Sequence, residues 1–290
     1  MSPRPSQAVR VIGVASGLGA RDPGCADGPA ALRELGVFDS AAAPVSWGDI
    51  LGPALTDAPR VKTVAELCGR LARRVEQELN AGSFPLVVGG DHSCAVGTWS
   101  GVRHGLQGPL GLVWVDAHMD SHTFATSPTG ALHGMPLACL LGHGAPELTE
   151  LVFPGPKLRP EHVCLLGVRS YEAGEAALLK ALGVRVIGME EVHARGLQAT
   201  FAEAVAIARN GTAGYGISID LDALDPVEEP GVGSPAPDGL LRLDLEFALR
   251  VVHGDRALLA MEIAEYNPHR DRRQLTAAAA GRLLDAVLEE

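Results

Sequence analysis

Aromatic residues supply only 4% of this 290-residue chain, so any core must be filled by aliphatic side chains. Hydrophobic residues nonetheless reach 47%, with 35 glycines, which is the composition of an α/β protein rather than of a disordered segment. Cysteine is also scarce: Cys25, Cys68, Cys94, Cys139 and Cys164 are odd in number, widely spaced and form no C-x-x-C pair. That pattern argues against a disulfide framework and a structural zinc site, and it suits a reducing cytoplasm. Basic residues are outnumbered, 24 Lys and Arg against 35 Asp and Glu, for a net charge of −11. No basic face is then available to neutralise phosphates, so nucleic acid is not an expected partner, whereas cationic ligands are favoured. Long apolar runs are missing too, and the opening MSPRPSQAVR lacks the apolar stretch of a signal peptide. The expectation is a soluble, cytoplasmic protein with no membrane partner.

What is present is an alternation of short aliphatic runs with segments of helical period, as in repeated β-α units around a parallel sheet. The runs predict strands at Val9–Val14, Pro85–Val88, Leu110–Val115, Val163–Gly167, Val184–Ile187, Gly214–Ile219 and Ala257–Ile263. Val64, Leu67, Cys68, Leu71, Val75 and Leu79 form one helical stripe closed by Gly82, and Gln198–Arg209, Arg242–Val252 and Leu275–Leu288 read as further helices. No linker, repeat or shift in composition divides the chain, so residues 1–290 are expected to form a single domain. Only Glu289 and Glu290 follow the last helix, so no extended tail is expected. Two irregular stretches, Ser16–Gly28 and His122–Ala131, follow strands, and ligands of open α/β sheets bind beyond the carboxyl ends of strands.

Three segments break the apolar pattern in the same way. PLVVGGDHS sets Asp91 and His92 after one strand, GLVWVDAHMD sets Asp116, His118 and Asp120 after another, and GISIDLDALDP sets Asp220, Asp222 and Asp225 after a third. A spacing of two places Asp116 with His118, and Asp220 with Asp222, on one side of an extended backbone. Taken singly, GGDHS could be a turn with Asp91 or Ser93 capping a helix, and SIDLDALDP a turn opened by Asp225-Pro226. Taken together they suggest convergence of His92, Asp116, His118, Asp120, Asp220 and Asp222. Four carboxylates would carry −4, which two divalent cations would cancel, and oxygen ligands with two imidazoles suit Mn²⁺. Two such ions about 3.5–4 Å apart lower the pKa of a shared water toward neutrality, which is hydrolase chemistry.

With GGDHS, DAHMD and SIDLDALDP in that order, the chain resembles the ureohydrolase family of arginases and agmatinases, over nearly its whole length from VIGVASG to EYNP. The resemblance implies a three-layer α-β-α fold with a mainly parallel eight-stranded sheet. It implies two Mn²⁺ per subunit and hydrolysis of a guanidino group by hydroxide bridging the metals. His92 and Asp120 would bind one metal, His118 and Asp222 the other, and Asp116 and Asp220 both. Asp120 would accept the hydroxide proton, His133 of LHGMP would protonate the leaving amine, and Glu265 of EIAEYNP would grip the guanidinium. Asp91 reads as an orienting group, Asp225 as a turn cap, and Glu262 as a surface or salt-bridge residue. A trimer or hexamer of identical subunits is also implied.

The substrate is read from loops. The interval from DAHMD to HGMP has the length seen in arginases, which favours L-arginine, with urea and L-ornithine as products. His122 and Thr129 fall where arginases hold the α-carboxylate with an Asn and a Ser; in GVRSYEAGE, Ser170 and Glu172 replace two aspartates facing the α-amino group, while Glu175 is retained. A guanidino acid such as 4-guanidinobutyrate is therefore the alternative, ahead of agmatine, which would leave His122 without a purpose. Outside this chemistry stand a catalytically silent metal-binding regulator and a single-zinc amide deacetylase; the complete set of ligands, with His133 and Glu265, speaks against both.

Overall fold

The computed structural model describes residues 7–39, 41, 43–54 and 57–289; the opening residues 1–6 and Glu290 at the end, both read above, lie outside the described residues. Eight strands form one sheet: β1 (Val9–Val14), β2 (Val45–Leu51), β3 (Phe84–Val88), β4 (Leu110–Val115), β5 (Val163–Val168), β6 (Arg185–Gly188), β7 (Gly214–Asp220) and β8 (Leu258–Ala264). Their order is β2-β1-β3-β8-β7-β4-β5-β6, and every neighbouring pair is parallel. The sheet is thus wholly rather than mainly parallel.

The two-residue period of a strand sorts the core into two layers. Val113 and Val115 of β4 belong to a cluster with Leu32, Phe201, Leu245 and Leu283, from the helices Gly28–Glu34, Leu197–Arg209, Arg242–Leu249 and Leu275–Leu288. Leu112 and Trp114 belong to another with Leu67, Trp99, Leu137 and Leu179, from the helices Arg60–Asn80, Ala95–His104, Pro136–Leu140 and Ala173–Leu182. Each fully buried Leu or Phe of this kind contributes about 1.5–3 kcal/mol. The result is an α-β-α sandwich.

The predicted strands are found with ends displaced by at most one residue, and β2 is additional. It escapes the pattern because it is an edge strand, nowhere fully buried, with Gly48 and Asp49 in its middle. The helix predicted over Arg242–Val252 is α-helical to Leu249 and tightens into a 3-10 turn over Arg250–Val252. Among the described residues no helix is long and apolar enough to cross a membrane.

Between β3 and β4 the chain skips two sheet positions, runs outward through β5 and β6, and returns to fill the gap with β7 and β8. The carboxyl ends of β3, β8, β7 and β4 therefore lie side by side where the winding reverses, the place at which open α/β sheets bind ligands. Behind them the helices Arg60–Asn80 and Ala95–His104 pack almost backbone to backbone. A Cβ on Gly97 would lie 2.6 Å from the carbonyl oxygen of Cys68, and one on Gly101 2.4 Å from that of Ala72. Gly101→Ala should therefore destabilise the fold by about 1–3 kcal/mol through overpacking, read as a lower urea midpoint; an unchanged midpoint would show that the two helices can separate without loss.

Candidate metal centre

β3 runs out into Gly89-Gly90-Asp91-His92. A Cβ on Gly90 would lie 2.0 Å from the carbonyl oxygen of Ser16, so only glycine lets the loop after β1 cross here. Asp91 faces that loop: Oδ2 accepts from the Gly19 amide at 2.9 Å, while Oδ1 accepts from the Ser93 amide at 3.1 Å and caps the turn carrying His92. At the end of β4, Asp116 accepts from the Trp114 indole at 2.8 Å and from the His118 amide at 2.6 Å. At the end of β7, Asp220 accepts from the Asp222 amide at 2.9 Å, and past the next turn Asp225 accepts from Val227 and Gly239, each at 2.9 Å.

These turns bring six side chains together. His92 Nδ1 lies 3.1 Å from Asp120 Oδ2, 3.2 Å from Asp220 Oδ2 and 3.4 Å from Asp116 Oδ2. His118 Nδ1 lies 3.1 Å from Asp222 Oδ2 and 3.5 Å from Asp116 Oδ1. Two potential metal groups result, His92/Asp116/Asp120/Asp220 and Asp116/His118/Asp222, with Asp116 common to both. Asp220 falls in the first group only.

The donor set fits cations. His92 Nδ1 and Asp120 Oδ2 are both buried, and although His92 Nδ1 has three carboxylate oxygens within 3.4 Å, neither atom is aligned with a partner as a hydrogen bond. Leaving such groups unsatisfied costs about 1–3 kcal/mol each; a cation between them removes that cost. Asp120 also holds a left-handed backbone (φ +46°), and Glu265 another (φ +67°). For non-glycine residues this is strain of the kind that gathers at functional sites. A third acidic group, His122 with Glu172 and Glu175, differs in being satisfied internally: His122 meets Thr126 Oγ1 at 3.1 Å and Glu172 Oε2 at 3.0 Å.

Burial and mutual repulsion dominate the electrostatics. Burial raises Asp120 to about 7, helped by the charge of Asp116, and raises Asp220 and Asp222 as well. Burial acts the same way on Asp116, but His118 and His92 override it and hold that carboxyl low. For His92 burial opposes the proton, and Asp116, Asp120 and Asp220 more than compensate.

Behind the cluster, His92 Nε2 meets Ser218 Oγ at 3.0 Å, and Ser218 donates to Glu262 Oε1 at 2.8 Å. Thr98 donates to the other oxygen of Glu262. With Nδ1 unprotonated toward the cluster, Nε2–H donates to Ser218, so this chain sets the ring's tautomer. The ring is also stacked on Trp114, centroids 4.3 Å apart. Glu262 is thus fully buried rather than at the surface, and of the two readings the salt-bridge one holds, its Oε1 lying 3.6 Å from His92 Nε2. β8 lies inside the sheet between β3 and β7, so alternation along it does not mark exposure. A charge within its apolar run was the signal available.

Above the six side chains is a cleft of about 160 Å³ whose lining includes Arg21, His122, Thr129, His133, Glu172 and Glu175. Ser170 is not among the lining residues. Glu175 is largely committed to structure, accepting from the Glu172 amide at 3.0 Å and the Ser121 amide at 3.3 Å. Glu265 Oε1 accepts from the His92 amide and meets His133 Nδ1, each at 2.9 Å, while its buried Oε2 has no partner. Burial opposes charge on His133, but Glu265 prevails and lifts it to about 10. Arg21 was missed in the sequence; its signal was a lone basic residue in the Gly- and Asp-rich loop after β1. A larger hollow of about 620 Å³, lined by Phe84, Val252, His253, Asp255 and Val287, lies at the amino ends of β3 and β8 and holds no comparable cluster.

Metal-free protein should show the titration of this cluster in its stability. Asp120, raised from 3.8 to about 7, and His133, raised from 6.5 to about 10, bind more protons folded than unfolded, as do His92 and Asp220. Stability from such groups is present at low pH and lost as pH climbs through these windows. Asp116 and Glu265, shifted down, act in the opposite sense only in acid. Tm should therefore fall between about pH 6 and about pH 9 without metal, and a divalent cation, which needs the deprotonated ligands, should abolish the fall. A flat or rising metal-free Tm over that range would contradict these shifts. Comparison with known proteins agrees with the geometry: the model of the Arginase family matches residues 7–289. The arginase of Bacillus caldovelox is 38% identical, with 97% of this chain and 98% of that protein covered. The arginase of Brevibacillus brevis is also 38% identical, with 96% of each covered. The solved structure of the Bacillus caldovelox arginase superposes with a TM-score of 0.92 at 36% identity, covering 98% of this chain and 99% of that one. The chain belongs to the arginase family of metal-dependent amidinohydrolases.

Proposed function

We propose that this protein hydrolyses L-arginine to urea and L-ornithine with two Mn²⁺ per subunit. The observation that carries the reading is the convergence of His92, Asp116, His118, Asp120, Asp220 and Asp222 beneath a small cleft, in a chain similar to proteins named arginase. His92 and Asp120 would hold one ion, His118 and Asp222 the other, with Asp116 and Asp220 between them. When bound, the two ions supply an acidified water and positive charge for the anion that develops on attack.

The chain's own groups do the rest. Glu265 keeps Oε2 free, an acceptor for a guanidinium N–H, while Oε1 is fixed by His92 and His133. His133, kept protonated by Glu265, is a donor for the departing amine, so that the nitrogen does not leave as an anion. Asp120, which lines the cleft beside His92, would take up the proton that the attacking water gives up. Guanidino acids such as 4-guanidinobutyrate, which lack an α-amino group, are the second reading, favoured because Ser170 does not line the cleft and Glu172 is paired with His122. All strands at the site share one sheet, which supports reading residues 1–290 as a single ureohydrolase domain. Five free, buried cysteines support a reducing cytoplasm.

Urea release by the Mn²⁺-loaded protein, compared for L-arginine, 4-guanidinobutyrate and agmatine, tests the substrate; a preference for either of the latter two displaces L-arginine. Asp120→Asn and His133→Ala should each lower turnover by about 10²- to 10⁴-fold, and full turnover in both would sink the residue roles. Assembly as a trimer or hexamer is supported by Leu243, Phe247 and Val251, exposed at intervals of four along Arg242–Val252. Light scattering should give a multiple of the subunit mass, reduced by Phe247→Glu; a monomeric wild type would refute it.

A further inference from the structure

The cleft presents a problem of charge to any substrate that carries a carboxylate. Glu172 and Glu175 line it and each would repel that group, whereas the charge of Asp120, Asp220 and Asp222, which also line it, is what two bound cations would cancel. Its histidines are committed: His118 faces Asp222 and Asp116, His133 faces Glu265, and His122 has Thr126 on one ring nitrogen and Glu172 on the other. One lining cation differs. Among the described residues Arg21 has no hydrogen bond or ion pair, and its side chain is exposed at the cleft.

Its backbone is nevertheless fixed on both sides. Gly19 donates its amide to Asp91 and accepts from the His133 amide at 3.2 Å, so the chain just before Arg21 is fastened to the centre itself. A Cβ on Gly19 would lie 2.2 Å from Asp91 Oδ1, so the approach requires glycine. Just after it, Asp22 accepts from the Gly24 amide at 3.0 Å and from Arg270 at 2.7 Å. A cation on so anchored a loop, without a protein partner, is placed for a ligand. Two hydroxyls accompany it: Ser127 Oγ accepts from the Gly130 amide at 2.9 Å and Thr129 Oγ1 from the Ala131 amide at 3.2 Å, leaving both O–H groups to donate into the cleft they line.

We infer that Arg21 is the specificity-determining residue that binds the substrate's carboxylate, with Thr129 and Ser127 beside it, and that His122 instead holds Glu172 in place. This rests on the hydrolysis of a guanidino compound proposed above and adds how a carboxylated guanidine is told from one without a carboxylate. The guanidinium fork suits a planar carboxylate.

The test compares Arg21→Gln with the wild type, both Mn²⁺-loaded. Loss of one charge-assisted contact should raise KM for L-arginine and 4-guanidinobutyrate about 10- to 100-fold with kcat little changed, and leave KM for agmatine unaltered. Arg21→Lys, which keeps the charge without the fork, should recover part of the loss. Calorimetry gives a readout free of turnover: affinity for L-ornithine should drop by the same factor, and that for 1,4-diaminobutane should not. Unchanged KM for the carboxylated substrates, or an equal rise for agmatine, overturns the assignment. A wild type that releases no urea, yet binds L-ornithine in an Arg21-dependent way, would remove the hydrolysis and keep the carboxylate site.

Discussion

Everything in this molecule is arranged around carboxylates that cannot stay together uncompensated. Asp116, Asp120, Asp220 and Asp222 are buried within reach of two imidazoles, and burial pushes all four carboxyls toward protonation, with the histidines reversing it only at Asp116. Such a cluster is tolerable in a folded protein only when opposite charge is supplied, and the orphaned His92 Nδ1 and Asp120 Oδ2 mark where it is wanted. The surrounding structure exists to hold the ligands in that unfavourable proximity until it arrives.

The sheet does most of this holding. By leaving a gap between β3 and β4 and filling it last, the chain gathers the ends of four central strands whose flanks are buried on both faces. A side chain at such an end inherits the rigidity of the strand, and its rotamer is then set from behind. The sequence Glu262, Ser218, His92 is one such support, and the Trp114 indole, which both stacks on His92 and donates to Asp116, is another. Removing a support would leave the ligand in place but free to turn.

The parts of this arrangement that could be read in the sequence are those that contradict their surroundings. Charges ending apolar runs at Asp116 and Asp220 have no cheap structural explanation, so the convergence of the His and Asp side chains was legible, and the aliphatic runs themselves located seven of the eight strands. The helix Ala95–His104 was not legible, because every residue from Ala95 to Val102 is buried and no amphipathic stripe exists to be seen. β2 was lost for the opposite reason, being too exposed to look like a core strand. Glu262 could be read only as a surface or a salt-bridge residue, because a single acidic residue does not tell the two apart unless the strand carrying it is known to lie inside the sheet. Arg21 stayed invisible because a lone arginine in a polar loop has no period and no spacing; only the folded chain shows what it lines.

The same contrast separates chemistry from selectivity. The His and Asp side chains of the cluster sit at strand ends or in the tight turns just beyond them, where a shift of one residue would carry a side chain out of the cluster, so their positions tolerate little change. The groups that line the upper cleft, Arg21, His122, Thr129 and Glu172, sit on loops or at a helix start, and all but Arg21 are held by hydrogen bonds, His122 to Thr126 and Glu172 and Thr129 to the Ala131 amide. Replacing an amide by an imidazole at position 122 need not disturb the metals, provided the new ring finds partners, and here it finds Thr126 and Glu172. Its pairing removes a carboxylate ligand from the cleft wall, which leaves the burden of recognising an anion to whatever cation is still uncommitted. Substrate choice in this chain is thus decided less by which residues face the cleft than by which of them remain unpaired.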